Sequence, residues 1–205
     1  AHCRISSIPD TATGPSVAGM NTTAERYGAA REPLTDLIET VPAASWSSSS
    51  PCEGWTAQDI VRHIIDTQRD FLATHGVDLG EEPNVHDDPA RAWRDHAGRV
   101  QARLDDNDDD TDVAAIACEG FFGPTTVGAA LEQFYIWDMV VHRWDIARAT
   151  GLDAGLTDAE IDEMEQGADS FGDALYMDGI CRPGVTAPSG AGRLEQVLAR
   201  LGRVA

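Results

Sequence analysis

The chain contains no lysine. All 15 of its basic residues are arginines, against 35 acidic residues, and the formal net charge is -20. A surface with this balance repels phosphate backbones and anionic lipid headgroups. We therefore expect neither a nucleic-acid partner nor a membrane partner.

Cysteine is also scarce. The chain has 4 cysteines, and they are widely scattered without any CxxC pair: Cys3, Cys52, Cys118 and Cys181. This spacing excludes a zinc ribbon and a dense disulfide framework. Reduced thiols in a cytosol are the simpler interpretation.

Long apolar runs are missing as well. None approaches the roughly 20 residues that a helix needs to cross a bilayer. The N-terminus also lacks the basic and then apolar order of a secretory signal. These absences favour a cytoplasmic location.

The domain organisation follows from length and local composition. A chain of 205 residues is long enough for one domain with a single substantial core. Residues 1–20 mix Pro, Gly, Ser and Thr without periodicity, which is typical of a flexible leader and makes His2 and Cys3 poor ligand candidates. We expect residues 21–205 to form one helical metal-binding domain.

Apolar residues at three- and four-residue steps predict helices through most of this domain. The predicted helices cover about 23–41, 56–75, 89–104, 126–150, 158–176 and 193–201. The segment DVAAIACEG fits a short helix or an extended strand equally well. The acidic run at 105–112 predicts a solvated turn, because it lacks the central Gly and final Glu of a calcium-binding EF-hand loop. The pattern predicts an all-α bundle.

The helix predicted over 126–150 carries polar side chains on its buried face. Asp138 and Asp145 share a stripe with apolar residues, and His142 follows Asp138 by one turn. Burying an unpaired carboxylate costs several kcal/mol, so Asp138 needs a cation, an arginine or a hydrogen-bond donor. The spacing suits chelation of a metal, although the same pair can simply hydrogen-bond to each other.

A third candidate ligand lies on the helix predicted over 56–75. His63 stands beside Ile60 and Ile64 on the inward face of that helix. A lone histidine on an apolar face is usually a satisfied core residue. Together with Asp138 and His142 on a second inward face, however, His63 predicts a site for one divalent metal.

Two segments resemble signatures of the DinB-like superfamily that includes mycothiol-dependent maleylpyruvate isomerase. The first is PCEGWTAQDIVRHIIDTQRDF, with a Cys-x-Gly-Trp loop before an inward histidine. The second is FYIWDMVVHRWDIARATG, with a carboxylate four residues before His-x-Trp-Asp. The ending RLEQVLARLGR is similar to a subgroup of uncharacterised members, so the resemblance covers the chain from about residue 23 onward.

The resemblance implies a DinB-like four-helix bundle with additional short C-terminal helices. It also implies a zinc-type site made by His63, Asp138 and His142, with nickel as the other candidate metal. Three protein ligands leave one position open for water or substrate. The isomerase has Glu where this chain has Asp138, and it carries a separate C-terminal domain for which 205 residues leave no room. We therefore do not transfer the isomerisation itself.

Several neighbouring residues have two interpretations. Asp145 either orients a ligand imidazole by a hydrogen bond to its other nitrogen or caps a neighbouring helix. Arg62 and Arg143 adjoin the histidines in sequence and are either anchors for an anionic substrate or plain surface charges. Cys52 is interpreted as a buried thiol. We expect Trp55, Trp137 and Trp144 to serve packing, and His75, His86 and His96 to face solvent.

The favoured function is a metal-dependent thiol transferase or isomerase-like enzyme. In this hypothesis the metal binds the thiol of a small cofactor, of mycothiol type by resemblance only, and the partners are a small-molecule thiol and an electrophilic substrate. The alternative is a metal-binding protein without turnover, acting as a stress-related or partner-binding module, since no general acid or base stands out. A homodimer through an exposed helix face is also expected.

Overall fold

The computed structural model describes residues 22–106, 112–177 and 180–204. The predicted leader, with His2 and Cys3, and most of the acidic run lie outside these residues. The described part of the chain is mostly helical with one small two-stranded sheet, which confirms the all-α fold class. None of its helices is long and apolar enough to cross a membrane.

The helices of the described residues lie close to the predicted positions. They are α1 Thr23–Thr40, α2 Ala57–Thr74, α3 Pro89–Asp105, α4 Val127–Ala130, α5 Trp137–Thr150, α6 Asp158–Phe171 and α7 Arg193–Arg200. Short 3-10 turns occupy Ala43–Ser45, Val113–Ala115 and Gly172–Tyr176. The strands β1 Ala117–Gly120 and β2 Gly123–Thr126 pair antiparallel, with Ala117 opposite Thr126.

Capping boxes fix where three helices begin. At the start of α2 the Thr56 hydroxyl accepts from the Asp59 backbone N–H, and the Asp59 carboxylate accepts from the Thr56 N–H. The same reciprocal pair starts α1 and α6. These side chains satisfy N–H groups that have no partner within the helix. The box at Thr56 thereby sets His63 about two turns into α2.

The core is a bundle of α1, α2, α3 and the long helix that ends with α5. α1 and α2 each pack against both α3 and α5, and α6 packs on the outside against α5 and α7. Each helix contributes its apolar stripe; that of α1 is Tyr27, Ala30, Leu34, Leu37 and Ile38. Burial of these stripes is the main favourable contribution to folding. It also brings the inward faces of α2 and α5 together.

Three segments differ from the sequence prediction. A π-helical turn, Leu131–Ile136, lies between α4 and α5 in the helix predicted as regular. DVAAIACEG contains both a 3-10 turn and strand β1, so each alternative holds for part of it. The helix predicted to reach residue 176 ends as an α-helix at Phe171, where Gly172 has a φ of 53° and the chain continues as a 3-10 turn.

The expectation that His96 faces solvent is wrong. Its side chain is completely buried on the inward face of α3, and Nε2 lies 3.0 Å from the Gln68 Oε1, which also accepts from the Tyr27 hydroxyl. Burial lowers the pKa of His96 to about 3, with Arg69 and Arg99 adding to the shift. His96 is therefore a neutral core residue, whereas His86 is exposed and His75 is half-buried.

Candidate metal centre

Three side chains from two helices converge on one cluster. His63 comes from α2, and Asp138 and His142 come from α5, which packs against α2. The Asp138 carboxylate lies between the imidazoles, with Oδ2 3.5 Å from His63 Nε2 and Oδ1 3.3 Å from His142 Nε2. The candidate ligand atoms of all three residues lie within 4.8 Å of one another.

The contacts of Asp138 with the two imidazoles are longer than close hydrogen bonds. They measure 3.3 and 3.5 Å and go to different oxygens of the carboxylate, whereas a hydrogen bond to a charged carboxylate is usually about 2.7–2.9 Å long. Ligand atoms placed tetrahedrally at about 2.0–2.1 Å from zinc lie about 3.3 Å apart, so a group of this size could hold an ion. The side chains of His63 and Asp138 are 30% and 26% exposed, so the cluster is open on one side.

Asp145 contacts His142 Nδ1, the ring nitrogen that does not face Asp138. His142 Nδ1 lies 2.9 Å from Asp145 Oδ2, in a pair that is almost completely buried. This contact leaves Nε2 to face Asp138, which is how metal-binding imidazoles are commonly oriented. The sequence leaves two roles open for Asp145, orienting an imidazole or capping a helix, and in the structure Asp145 contacts the imidazole of His142.

Arg203, near the end of the chain, supplies the counter-charge for Asp145. Its Nη2 lies 2.7 Å from Asp145 Oδ2 and its Nε lies 3.1 Å from Oδ1. The Arg203 side chain is only 11% exposed. The imidazole is thus held through a chain of contacts from His142 to Asp145 to Arg203, and nothing in the sequence assigns Arg203, the last residue of the segment RLEQVLARLGR, a role in the site.

The charges within the cluster reinforce one another. Burial alone would raise the pKa of Asp138, but the neighbouring His142 and His63 hold it well below its usual range. Burial alone would lower the pKa of His142, but Asp138 and Asp145 together raise it well above its usual range. Without a metal, the site therefore pairs an ionised Asp138 with a protonated His142. A bound metal would replace that proton.

Local structure next to both helices helps to position His63, Asp138 and His142. The loop before α2 turns at Gly54, whose φ of 77° suits glycine, and the Trp55 N–H donates to the Cys52 carbonyl at 3.0 Å. The turn places the Trp55 ring 4.8 Å from that of His63. On the other helix, the π-helical turn ends immediately before α5. Such turns are frequent at functional sites because they change which side chains share a face.

The cluster lies at the floor of a cavity of about 690 Å³. Its walls are rich in aromatic side chains, namely Trp55, Phe134, Tyr135, Trp137, Phe171 and Tyr176. Trp55 and Trp137 pack against the core, as the sequence predicts, and line the cavity as well. Burial, together with the charge of Asp138, raises the pKa of the Tyr135 hydroxyl to about 12, so this group stays protonated at neutral pH.

The two arginines proposed from the sequence do not line this cavity. Arg143 is buried with its Nη1 2.8 Å from Glu160 Oε1, because its position on α5 faces α6 rather than the cluster. Arg62 is half-exposed beside Asp59. The cavity is lined instead by Arg182 and Arg203, both from the C-terminal segment. Arg143 forms a buried ion pair with Glu160 and does not reach the cavity, so its interpretation as a substrate anchor is wrong.

Cys52 lies closer to the cluster than its interpretation as a plain buried thiol anticipated. It is half-buried, and its Sγ lies 3.5 Å from Asp145 Oδ2 and 3.8 Å from Arg203 Nη2. It joins His142 and Asp145 in a second potential ligand group, on the Nδ1 side of the imidazole. Because Arg203 already neutralises that carboxylate, we assign no metal to this second group.

Comparison with known proteins identifies the family of this chain but does not test the geometry of the site. No significant match was found among curated proteins or among solved structures. A protein-family model described as the mycothiol maleylpyruvate isomerase N-terminal domain matches residues 27–147, which is more than half of the chain and includes His63, Asp138 and His142. The chain therefore belongs to the mycothiol maleylpyruvate isomerase N-terminal domain family, a DinB-like family tied to mycothiol-related function.

Proposed function

We propose that His63, Asp138 and His142 bind one divalent metal, zinc in preference to nickel, and that the site activates a small thiol for transfer to an electrophile. One observation carries this proposal. Three candidate ligand atoms lie within 4.8 Å of one another at the floor of a cavity large enough for an organic molecule.

The donor set suits zinc, which takes imidazole nitrogen and carboxylate oxygen with three protein ligands at catalytic sites. Zinc bound there would supply the Lewis acidity that keeps a thiol deprotonated near pH 7. His142 offers Nε2 because Asp145 occupies its Nδ1. Asp138 offers one negative charge, so the site retains net positive charge to favour a thiolate.

The walls of the cavity serve the organic part of the ligands. Aromatic side chains around the cluster exclude water and raise the strength of electrostatic contacts inside. Tyr135 keeps its proton at neutral pH and can donate a hydrogen bond. Arg182 lines the cavity in an exposed pair with Glu53 and offers a guanidinium group to a carboxylate on the thiol or on the electrophile, whereas Arg203 is engaged by Asp145.

Two further observations support a thiol-dependent enzyme over a metal-binding module without turnover. The family name connects this domain with mycothiol, so a thiol of mycothiol type is the cofactor we propose. Among the described residues, the ligand group that lines the cavity contains three side chains, and Cys52 contacts Asp145 instead of joining that group. A fourth coordination position is thereby left to a ligand.

Elemental analysis of protein purified without a metal-affinity tag tests the site. We expect about one equivalent of zinc or nickel per chain in the wild type, and loss of it in His142→Ala. His86→Ala is the matched control, because that side chain is exposed at the surface and should leave the metal content unchanged. Absence of metal from the wild type would overturn the proposal. Conjugation of a thiol to a chromogenic electrophile then separates the transferase from the alternative without turnover.

A further inference from the structure

Two free thiols line the same cavity as the candidate metal ligands. Cys52 lies in the loop before α2, and Cys181 lies in the segment between α6 and α7. Both are half-buried and both lie outside helices and strands. Cys118, the other described cysteine, lies on β1 and does not line the cavity.

A single guanidinium connects the two thiols. Arg203 Nη2 lies 3.8 Å from Cys52 Sγ; burial raises the pKa of the Cys181 thiol, and the charge of the same Arg203 side chain lowers it by a smaller amount. Both thiols therefore lie near one guanidinium. The guanidinium also favours the negative charge that develops on sulfur during thiol–disulfide exchange.

A disulfide between the two cysteines needs a sulfur–sulfur distance of about 2.05 Å, so the two free thiols must approach each other by movement of one of the loops. Two features make this feasible. Neither cysteine is fixed in a helix or strand, and both side chains line one cavity. The cavity, at about 690 Å³, also gives a small disulfide access to both sulfurs.

We propose that Cys52 and Cys181 form a redox-active pair that reacts with low-molecular-weight disulfides inside this cavity. In the first step one cysteine, which we assign as Cys52, attacks the disulfide; a mixed disulfide forms and one small thiol leaves with the proton of Cys52. In the second step Cys181 attacks the Cys52 sulfur, forms the Cys52–Cys181 bond and releases the second small thiol. The two cysteines are oxidised by two electrons, and one small disulfide is reduced to two thiols.

The internal disulfide would narrow the cavity above the metal ligands. Cys52 and Cys181 come from different segments that line the cavity, and joining them draws the segment of Cys181 onto the loop before α2. The proposal shares its cavity with the proposed function but does not require the metal. The test is therefore run both on protein as purified and on protein treated with a chelator, so a failure of the metal site leaves the outcome interpretable.

The experiment exposes reduced protein to glutathione disulfide, alkylates the remaining thiols, and maps the peptides by mass spectrometry. Reduced wild type should show 4 alkylatable cysteines. After treatment we expect loss of alkylation at Cys52 and Cys181 and the appearance of a peptide that links them, with or without chelator. A reductant should restore both thiols.

Three variants distinguish the steps. Cys181→Ser should stop at a glutathione adduct on Cys52, whereas Cys52→Ser should give no linked peptide. Cys118→Ser is the matched control and should form the same link as the wild type. Circular dichroism verifies that each variant keeps its helices. The proposal is overturned if Cys52 and Cys181 both remain alkylatable, or if the wild type keeps its glutathione adduct on Cys52 as Cys181→Ser does.

Discussion

Replacing Asp145 with asparagine removes one charge from the centre of the site and keeps nearly the same volume. Asp145 is completely buried and contacts both His142 Nδ1, at 2.9 Å, and Arg203 Nη2, at 2.7 Å. In Asp145→Asn the guanidinium stays in place as a largely buried cation without its carboxylate. Breaking a buried ion pair in this way costs about 3–5 kcal/mol.

The same substitution should weaken the metal site. The introduced side-chain amide either donates to His142 Nδ1 or accepts from it more weakly, so the imidazole loses its charge-assisted orientation. Removing such a partner of a metal-bound histidine typically lowers metal affinity by about 10- to 100-fold. This loss corresponds to about 1.4–2.7 kcal/mol of binding free energy.

Urea unfolding followed by circular dichroism, in the presence of a chelator, measures the stability of the metal-free protein. Competition with a chromophoric chelator measures zinc affinity. The matched control is Asp169→Asn, which removes the same charge from an exposed pair with Arg200 and should cost less than about 1 kcal/mol. The double variant Asp145→Asn/Arg203→Gln should recover part of the lost stability, because it no longer buries an unpaired cation.

Two outcomes would contradict this reasoning. If Asp145→Asn costs no more stability than Asp169→Asn, the contact with Arg203 does not stabilise the fold. If stability falls while zinc affinity is unchanged, Asp145 stabilises the C-terminal segment but does not orient His142 as a ligand. In the second case the candidate site would need a different explanation for the contact at Nδ1.

Two further predictions concern the core around the site. His96 has a folded-state pKa of about 3, so its contribution to stability is fully present above the unfolded pKa of 6.5 and is lost as the pH falls below that value. Near pH 5 the wild type should therefore have lost about 2 kcal/mol more unfolding free energy than His96→Gln. Equal losses in the two proteins would contradict burial of a neutral ring. Gly167→Ala should cost about 1–3 kcal/mol in urea unfolding, because its new methyl group meets the Trp137 indole, whereas Gly98→Ala, with open space, should be neutral or stabilising.

The helices could be predicted because their signals are local. Thr56 and Asp59 form the capping box that their spacing predicts, and Gly151 ends α5 in the left-handed conformation. The π-helical turn before α5 has no comparable signal, since its apolar residues also fit a regular helix. The expectation that His96 faces solvent fails because helical spacing from the buried Trp93 and Val100 places His96 on the inward face of α3.

The candidate ligands could be predicted from the sequence for the same reason. Asp138 and His142 lie one turn apart on one helix, and His63 lies on an apolar stripe, so helical periodicity alone places all three on inward faces. The positions of the arginines near the site could not be predicted in this way. Arg143 adjoins His142 in sequence, yet consecutive residues on a helix point about 100° apart, and its side chain pairs with Glu160.

The amino-acid sequence by itself determined the helical fold class, the family and the three candidate ligands, because each depends on periodicity, caps or a contiguous motif. Only the tertiary structure decided what surrounds those ligands. Arg203 reaches Asp145 across 58 residues of sequence and Cys52 across 151, and no spacing rule connects such positions. These contacts arise from the packing of the C-terminal segment over the bundle, which buries the charges together and closes one wall of the cavity.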